Sequence, residues 1–262
     1  MGIVNVTPDS FSDGGMFEDA EEAVKHGLRL LDEGADILDV GGESTRPGSD
    51  AVGAEEEGSR VLPVLEGLRR EAPEAVLSVD TRTVVVAEEA LVAGADVVND
   101  VSAGADPAMF RAVAAAGAGM VLMHMRGEPK TMQADPAYDD VVAEVRAFLA
   151  ERIEAAVAAG VGRDRLCVDP GFGFGKHLEH NLDLLRSIGS FCGLGVPVLA
   201  GVSRKRFVGE LSDMDDPADR LEGSLAAALW CATQGVDLVR VHDVGATVRA
   251  LRVVDSIARG RS

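Results

Sequence analysis

Short apolar runs rich in β-branched residues alternate along the chain with longer Ala- and Leu-rich stretches. The short runs predict eight strands, near residues 2–5, 36–40, 76–80, 96–99, 119–123, 165–169, 196–200 and 238–241. The stretches between them predict helices near 18–33, 54–71, 83–93, 107–117, 139–159, 179–189, 217–234 and 245–258. One fragment recurs as Gly34-Ala-Asp-Ile-Leu-Asp39, Gly94-Ala-Asp-Val-Val-Asn99 and Gly235-Val-Asp-Leu-Val-Arg240. Each copy reads as a helix-ending glycine, a short connection and a buried strand. Eight βα units with no composition break predict an α/β fold, a single (β/α)8 TIM barrel over 1–262 with its active site at the C-terminal ends of the strands. An open doubly wound sheet is the runner-up. Against it, no GxGxxG follows the first strand, where a dinucleotide site would sit.

The polar positions share a pattern. At or just past the strand ends stand Asn5, Asp39, Asp80, Asn99, His124, Asp169, Ser203 with Lys205, and Arg240 with His242. In a parallel barrel these ends face one way, so the groups converge on one rim. Asp80, Asn99 and Asp169 offer acceptors that suit the amidine-like edge of a planar nitrogen heterocycle. Arg240 and His242 alternate along the last strand, and the loop Glu43-Ser-Thr-Arg-Pro-Gly48 adds Thr45 and Arg46, a set suited to an anion. Asn5 could complete a hard-metal site together with phosphate oxygens and waters. The glycine-rich Gly171-Phe-Gly-Phe-Gly175 lacks the GK[ST] ending of a P-loop and reads as a pocket loop. No motif pairs a nucleophile with a base in the manner of Ser-His-Asp.

Composition narrows the partners. A net charge of −19 argues against a general nucleic-acid or anionic-membrane surface. Any anionic ligand must therefore meet a local cluster of Arg, Lys, His or metal. The three cysteines are far apart, with no CxxC, which suits a reducing, cytoplasmic setting. No run of 18 or more residues is apolar, and no signal-peptide pattern opens the chain.

The motifs MGIVNVTPDSFSDGG (1–15), DVGGESTRPG (39–48), SVDT (78–81), NDVS (99–102), DPGFGFGK (169–176), GVSRKRF (201–207) and RVHDV (240–244) follow one another in this order. Together they closely resemble the signature segments of dihydropteroate synthase, a folate-pathway transferase and sulfonamide target. The likeness runs from Met1 to about Ile257. Members usually carry residues ahead of the first strand, whereas this chain opens on it.

The resemblance implies condensation of 6-hydroxymethyl-7,8-dihydropterin diphosphate with 4-aminobenzoate, releasing diphosphate. It implies that Asp80, Asn99, Asp169 and Lys205 grip the pterin, that Asn5 binds Mg²⁺, and that Thr45, Arg46, Arg240 and His242 bind the diphosphate. Ser44, Pro47, Phe174 and Ser203, with Arg46 and Lys205, are implied for the 4-aminobenzoate pocket, and Asp13 for the neighbourhood of a cationic pterin methylene. Asp13, Arg46 and Lys205 are thus the implied catalytic residues, and a homodimer through late barrel helices is implied as well. Two alternatives remain at this stage, a pterin-binding methyltransferase module and a catalytically silent paralogue. The intact Thr45, Arg46, Arg240 and His242 weigh against the first, and Asn5, Asp13 and Lys205 against the second.

Overall fold

The computed structural model describes residues 1–6, 16–43, 52–128, 131–132 and 136–259, with the side chains of 16–18 and 259 excepted. Asp13, Ser44, Thr45, Arg46 and Pro47 lie outside the described residues. Among those described, eight strands run in chain order: β1 (Gly2–Asn5), β2 (Ile37–Gly41), β3 (Val76–Asp80), β4 (Val97–Asp100), β5 (Gly119–Met123), β6 (Leu166–Asp169), β7 (Leu199–Ala200) and β8 (Leu238–Val239). The helices between and after them are α1 (Met16–Asp32), α2 (Ala54–Glu71), α3 (Val84–Val92), α4 (Pro107–Ala116), α5 (Val141–Ala158), α6 (Leu178–Arg186), α7 (Arg206–Ser212), α8 (Leu221–Thr233) and α9 (Val244–Arg259).

The strands are parallel and pair in sequence from β1 to β6, and β7 pairs with β8. Single bridges join the two sheets and close the ring. Val168 meets Val198, with Val168 N–H donating to the Pro197 carbonyl at 2.9 Å. Gly2 meets Val241, with Ile3 N–H donating to the Val241 carbonyl at 3.1 Å. The eight-stranded barrel is therefore present.

Strand alternation sorts the side chains into two populations. Val4, Leu38, Val40, Leu77, Val79, Val98, Leu122 and Val168 point outward and pack with helix residues such as Leu30, Leu65, Leu68, Val86 and Leu149 in one large cluster. Inside the barrel, Met1, Val121, Cys167 and Leu199, with Ile37, Val97 and Leu238 against them, form an apolar floor. Above that floor the inward positions become polar.

The recurrent fragment has a physical basis. Gly34, Gly94 and Gly235 all take positive φ (103°, 109° and 91°), which lets the chain leave each helix and turn into the next strand. In the second and third copies the aspartate two residues on pins a neighbouring strand. Asp96 Oδ2 accepts from Leu77 N–H at 2.9 Å, and Asp237 Oδ2 from Val198 N–H at 2.8 Å.

The last quarter departs from expectation. The seventh strand begins at Leu199 and not at 196, because Pro197 has no N–H and the Val198 N–H is taken by Asp237. The paired segment of the eighth is Leu238–Val239, and Arg240 and Val241 continue its hydrogen bonding to the Ala200 and Met1 carbonyls at 3.1 and 3.0 Å, with His242 just past them. Helix α7 falls where only loop was expected, and the expected helix 217–234 divides into a single 3₁₀ turn, Pro217–Asp219, and α8. At the break, the buried Arg220 spends its guanidinium on the carbonyls of Met214, Asp215 and Arg204.

Candidate active site

Parallel register sets Asn5, Gly41, Asp80 and Asn99 at one level of the barrel. Ile3, Asp39, Ser78 and Val97 form the level below. Asp39 is therefore a mid-strand residue, one layer beneath the rim, and it organises what lies above it. Ser78 Oγ donates to its Oδ1 at 2.6 Å, and Asn99 Nδ2 to its Oδ2 at 3.0 Å. Arg240 Nε donates to the same Oδ2 at 2.6 Å, while Arg240 Nη2 reaches Asp80 Oδ2 at 2.8 Å. Asp39 is fully buried, so these are charge-assisted bonds shielded from water.

The network merges two groups that the sequence assigned to different ligands. Asp80 and Asn99, expected on a heterocycle, are linked through Asp39 and Arg240 to the expected anion site. Burial pushes Asp80 up to about 7, with Arg240 the main force opposing it. Arg240 itself is held above the usual arginine range by Asp39 and Asp80, against its own burial. Its Nη1 makes no bond to a described residue.

Behind Asp80 sits a fully buried carboxylate, Glu57, in the first turn of α2. Neither of its oxygens makes a hydrogen bond of normal geometry, although the Thr81 and Thr83 hydroxyls lie closest and oppose the rise in its pKa that burial causes.

Across the mouth, Asp169 ends β6 and accepts from Gly171 N–H at 2.7 Å through Oδ1. Burial raises its pKa, opposed by that N–H and by Lys205 and Lys176. The β7 loop delivers Lys205, whose Nζ stands 4.0 Å over the Phe174 ring. Burial brings Lys205 down to about 8, with Asp169 pulling the other way. Phe174 is itself buried, against Val101, Met123 and Met132. Ser203 and His242 form a pair. Ser203 Oγ accepts from His242 N–H at 3.2 Å and lies 3.0 Å from His242 Nδ1. The Oγ–Nδ1 contact leaves Nε2 as the ring nitrogen with no described partner. Burial, reinforced by Arg240 and Arg204, holds His242 down at about 3. His242 is thus a neutral ring and not a cation. Arg204, with φ of 57°, clasps Asp243 through Nε at 3.1 Å and Nη2 at 2.7 Å, tying the Lys205 loop to the His242 loop.

Sequence reasoning placed Asp39 on the rim but gave it no role, and it passed over Glu57 and Lys176 altogether. Two signals were available: a lone Asp inside the apolar run Ile37–Val40, and a Lys closing the glycine-rich loop.

Asn5 supplies the one expected metal ligand. Its side chain bonds to no described residue, so the amide oxygen stays available to a hard cation that takes few protein ligands. Among the described residues no group of three or more His, Cys, Asp or Glu could hold a metal without help from a ligand. A single amide oxygen is the kind of hard donor that suits Mg²⁺ carried on a phosphate.

The family model described as pterin binding enzyme matches residues 1–242. The chain is 48% identical over 256 residues to dihydropteroate synthase of Escherichia coli strain K12, covering 98% of this chain and 90% of the relative. Among solved structures, Xanthomonas albilineans dihydropteroate synthase with 4-aminobenzoic acid superposes with a TM-score of 0.93 at 53% identity, covering 99% of this chain and 93% of the other. The same enzyme in complex with 7,8-dihydropteroate gives a TM-score of 0.90 at 51% identity, again over 99% and 93% of the chains.

Proposed function

The chain belongs to the dihydropteroate synthase family of pterin-binding enzymes, and from that premise we propose how its rim performs the condensation. The reaction breaks the bond between the pterin methylene carbon and the diphosphate oxygen, which leaves with the electron pair. The aniline nitrogen of 4-aminobenzoate bonds to the methylene and loses a proton, giving 7,8-dihydropteroate and diphosphate.

The observation that carries the assignment of roles is the network joining Asp80, Asn99, Asp39 and Arg240. Acceptors on one side of it suit the amino group and adjacent ring nitrogen of a pterin. Asp80 and Asn99 take one part of the ring, and Asp169 with Lys205 the other. Arg240, through its remaining Nη1, and His242, through Nε2, face the diphosphate and stabilise the charge gathering on the leaving oxygens. With both groups already held in place, little reorganisation is needed when that charge develops. Mg²⁺ held on the diphosphate by Asn5 would supply further charge neutralisation. Phe174 and Ser203 border the space for 4-aminobenzoate. Asp13 for the cationic methylene, Thr45 and Arg46 for the diphosphate, and Ser44 and Pro47 for 4-aminobenzoate complete the roles implied by the sequence.

A homodimer through the late helices belongs to the same reading. Among the described residues, five of the eight exposed large apolar residues (Leu211, Met214, Trp230, Val253 and Ile257) fall in the last quarter of the chain, which supports that placement. Sedimentation velocity reads the dimer directly. Among the described residues no helix is long and apolar enough to cross a membrane.

Calorimetric titration of the dihydropterin diphosphate tests the site. Wild type should bind it, Asp169→Ala should lose roughly tenfold or more in affinity as hydrogen bonds to a charged group disappear, and Arg240→Met should bind free diphosphate weakly. Equal affinity in all three proteins would refute the assignment.

A further inference from the structure

Lys176 is nine-tenths or more buried, and no carboxylate contacts it among the described residues. Its Nζ lies among the Gly171 carbonyl at 2.9 Å, the Phe174 carbonyl at 3.0 Å, the His124 carbonyl at 3.3 Å and His124 Nδ1 at 3.0 Å. His124 is held down at about 3 by burial and by Lys176, so its neutral Nδ1 accepts. Three ammonium protons are thus shared among four acceptors from two loops, the one after β5 and the one after β6.

These loops are packed backbone to backbone. A Cβ on Gly171 would collide with the His124 carbonyl oxygen, and one on Gly175 with the Arg126 carbonyl oxygen. Other ties hold the outer side of the second loop. Tyr138 Oη donates to the Gly175 carbonyl at 2.8 Å, and Asn181 Oδ1 accepts from Gly173 N–H at 2.7 Å. The turn is closed by Phe174 N–H donating to the Gly171 carbonyl at 3.2 Å, and among the described residues Lys176 is the side chain that bonds the carbonyls at both of its ends.

A buried ammonium is a costly way to hold a loop. Burial, opposed by Asp169 and reinforced by Lys205 and Arg126, brings Lys176 down to about 7. An apolar residue of the same length would avoid that cost but would leave four buried acceptors without this donor. Beyond any contribution to stability, the contact has a geometric consequence. The Phe174 carbonyl that Lys176 holds belongs to the residue whose ring lies beneath Lys205.

We propose that Lys176 is a positioning residue for the second substrate: by gathering the carbonyls of His124, Gly171 and Phe174 it fixes the Phe174 ring under Lys205 and so shapes the 4-aminobenzoate pocket, an inference that rests on the synthase reading above. The residue touches no substrate and acts through the loop it holds.

Steady-state kinetics of Lys176→Met and Lys176→Ala provide the test. The expected result is a rise in KM for 4-aminobenzoate of roughly ten- to a hundredfold, the scale of a small misplacement of binding groups. KM for the dihydropterin diphosphate should change less than about threefold, a split between the two substrates that a general loss of stability would not produce. Propylammonium added to Lys176→Ala should restore the lower KM by refilling the ammonium site. A parallel rise in both KM values, no change in either, or no rescue would overturn the proposal. Amide exchange across 171–175 gives a readout independent of turnover. It should be faster in Lys176→Met than in wild type, and equal rates would also overturn the proposal. If wild type formed no dihydropteroate, the synthase reading would fall, and the exchange comparison would still decide whether Lys176 holds the loop.

Discussion

Replacing Asp39 by alanine removes the acceptor of three buried donors at once, Ser78 Oγ, Asn99 Nδ2 and Arg240 Nε. Its side chain is completely shielded from solvent, so the three donors lose a charged partner for which a single neutral water is a weaker replacement. Breaking a buried ion pair by deleting one member costs about 3–5 kcal/mol, because the other charge stays behind unpaired. Here Asp80 still reaches Arg240 at 2.8 Å, which keeps the loss toward the lower end of that range. At roughly 2–4 °C per kcal/mol for a chain of this size, the melting temperature of Asp39→Ala should fall by roughly 6–20 °C. Asp39→Asn keeps the shape and can turn its amide oxygen toward Asn99 and Arg240, while Ser78 switches from donor to acceptor. It should lose only the charge, about 1–2 kcal/mol. Differential scanning calorimetry measures both. The cycle with Arg240→Gln supplies the control: the double variant Asp39→Asn/Arg240→Gln should lose less than the sum of the singles, by ~0.5–3 kcal/mol. An Asp39→Ala protein melting within about 2 °C of wild type, or singles that add without coupling, would refute the view that Asp39 organises the rim.

Other perturbations follow from the same geometry. Burial raises the folded-state pKa of Glu57, so below its unfolded pKa the group imposes no penalty, and the penalty grows as pH rises toward the folded value. Glu57→Gln should accordingly raise the melting temperature more at pH 8 than at pH 4.5, and a gain independent of pH would contradict this. Lys205, brought down to about 8, is charged below that pH and neutral above it. Affinity for the dihydropterin diphosphate should decline between roughly pH 7.5 and 9, and Lys205→Met should flatten that limb in a titration series. Gly171→Ala must both adopt φ near 71° and push its Cβ into the His124 carbonyl. Chemical denaturation should show a loss of at least ~2 kcal/mol, and a neutral substitution would mean that the two loops are not in backbone contact.

Much of the fold was legible because the outward strand faces are apolar against the helices, so each run announced a strand. The recurrent Gly-x-Asp fragments marked helix ends through positive φ and strand entries through the Asp96 and Asp237 side chains. The shortened β7 and the break before α8 were less legible. They depend on contacts made at a distance in sequence, Asp237 on Val198 and Arg220 on the Arg204 carbonyl. At the site, residue types on the rim were readable one strand at a time, but their pairing was not. Arg240 and Asp39 are 201 residues apart, and only barrel closure brings them to 2.6 Å. Nor did the sequence distinguish His242 as a neutral ring from His242 as a cation, since that follows from burial beside Arg240 and Arg204.

The most direct test of the central claim is a coupled diphosphate-release assay on the purified chain, with Mg²⁺, the dihydropterin diphosphate and 4-aminobenzoate supplied together and each omitted in turn. The account predicts release that needs both substrates, matched one for one by 7,8-dihydropteroate. Tight binding of the pterin diphosphate with no release when 4-aminobenzoate is added would contradict it.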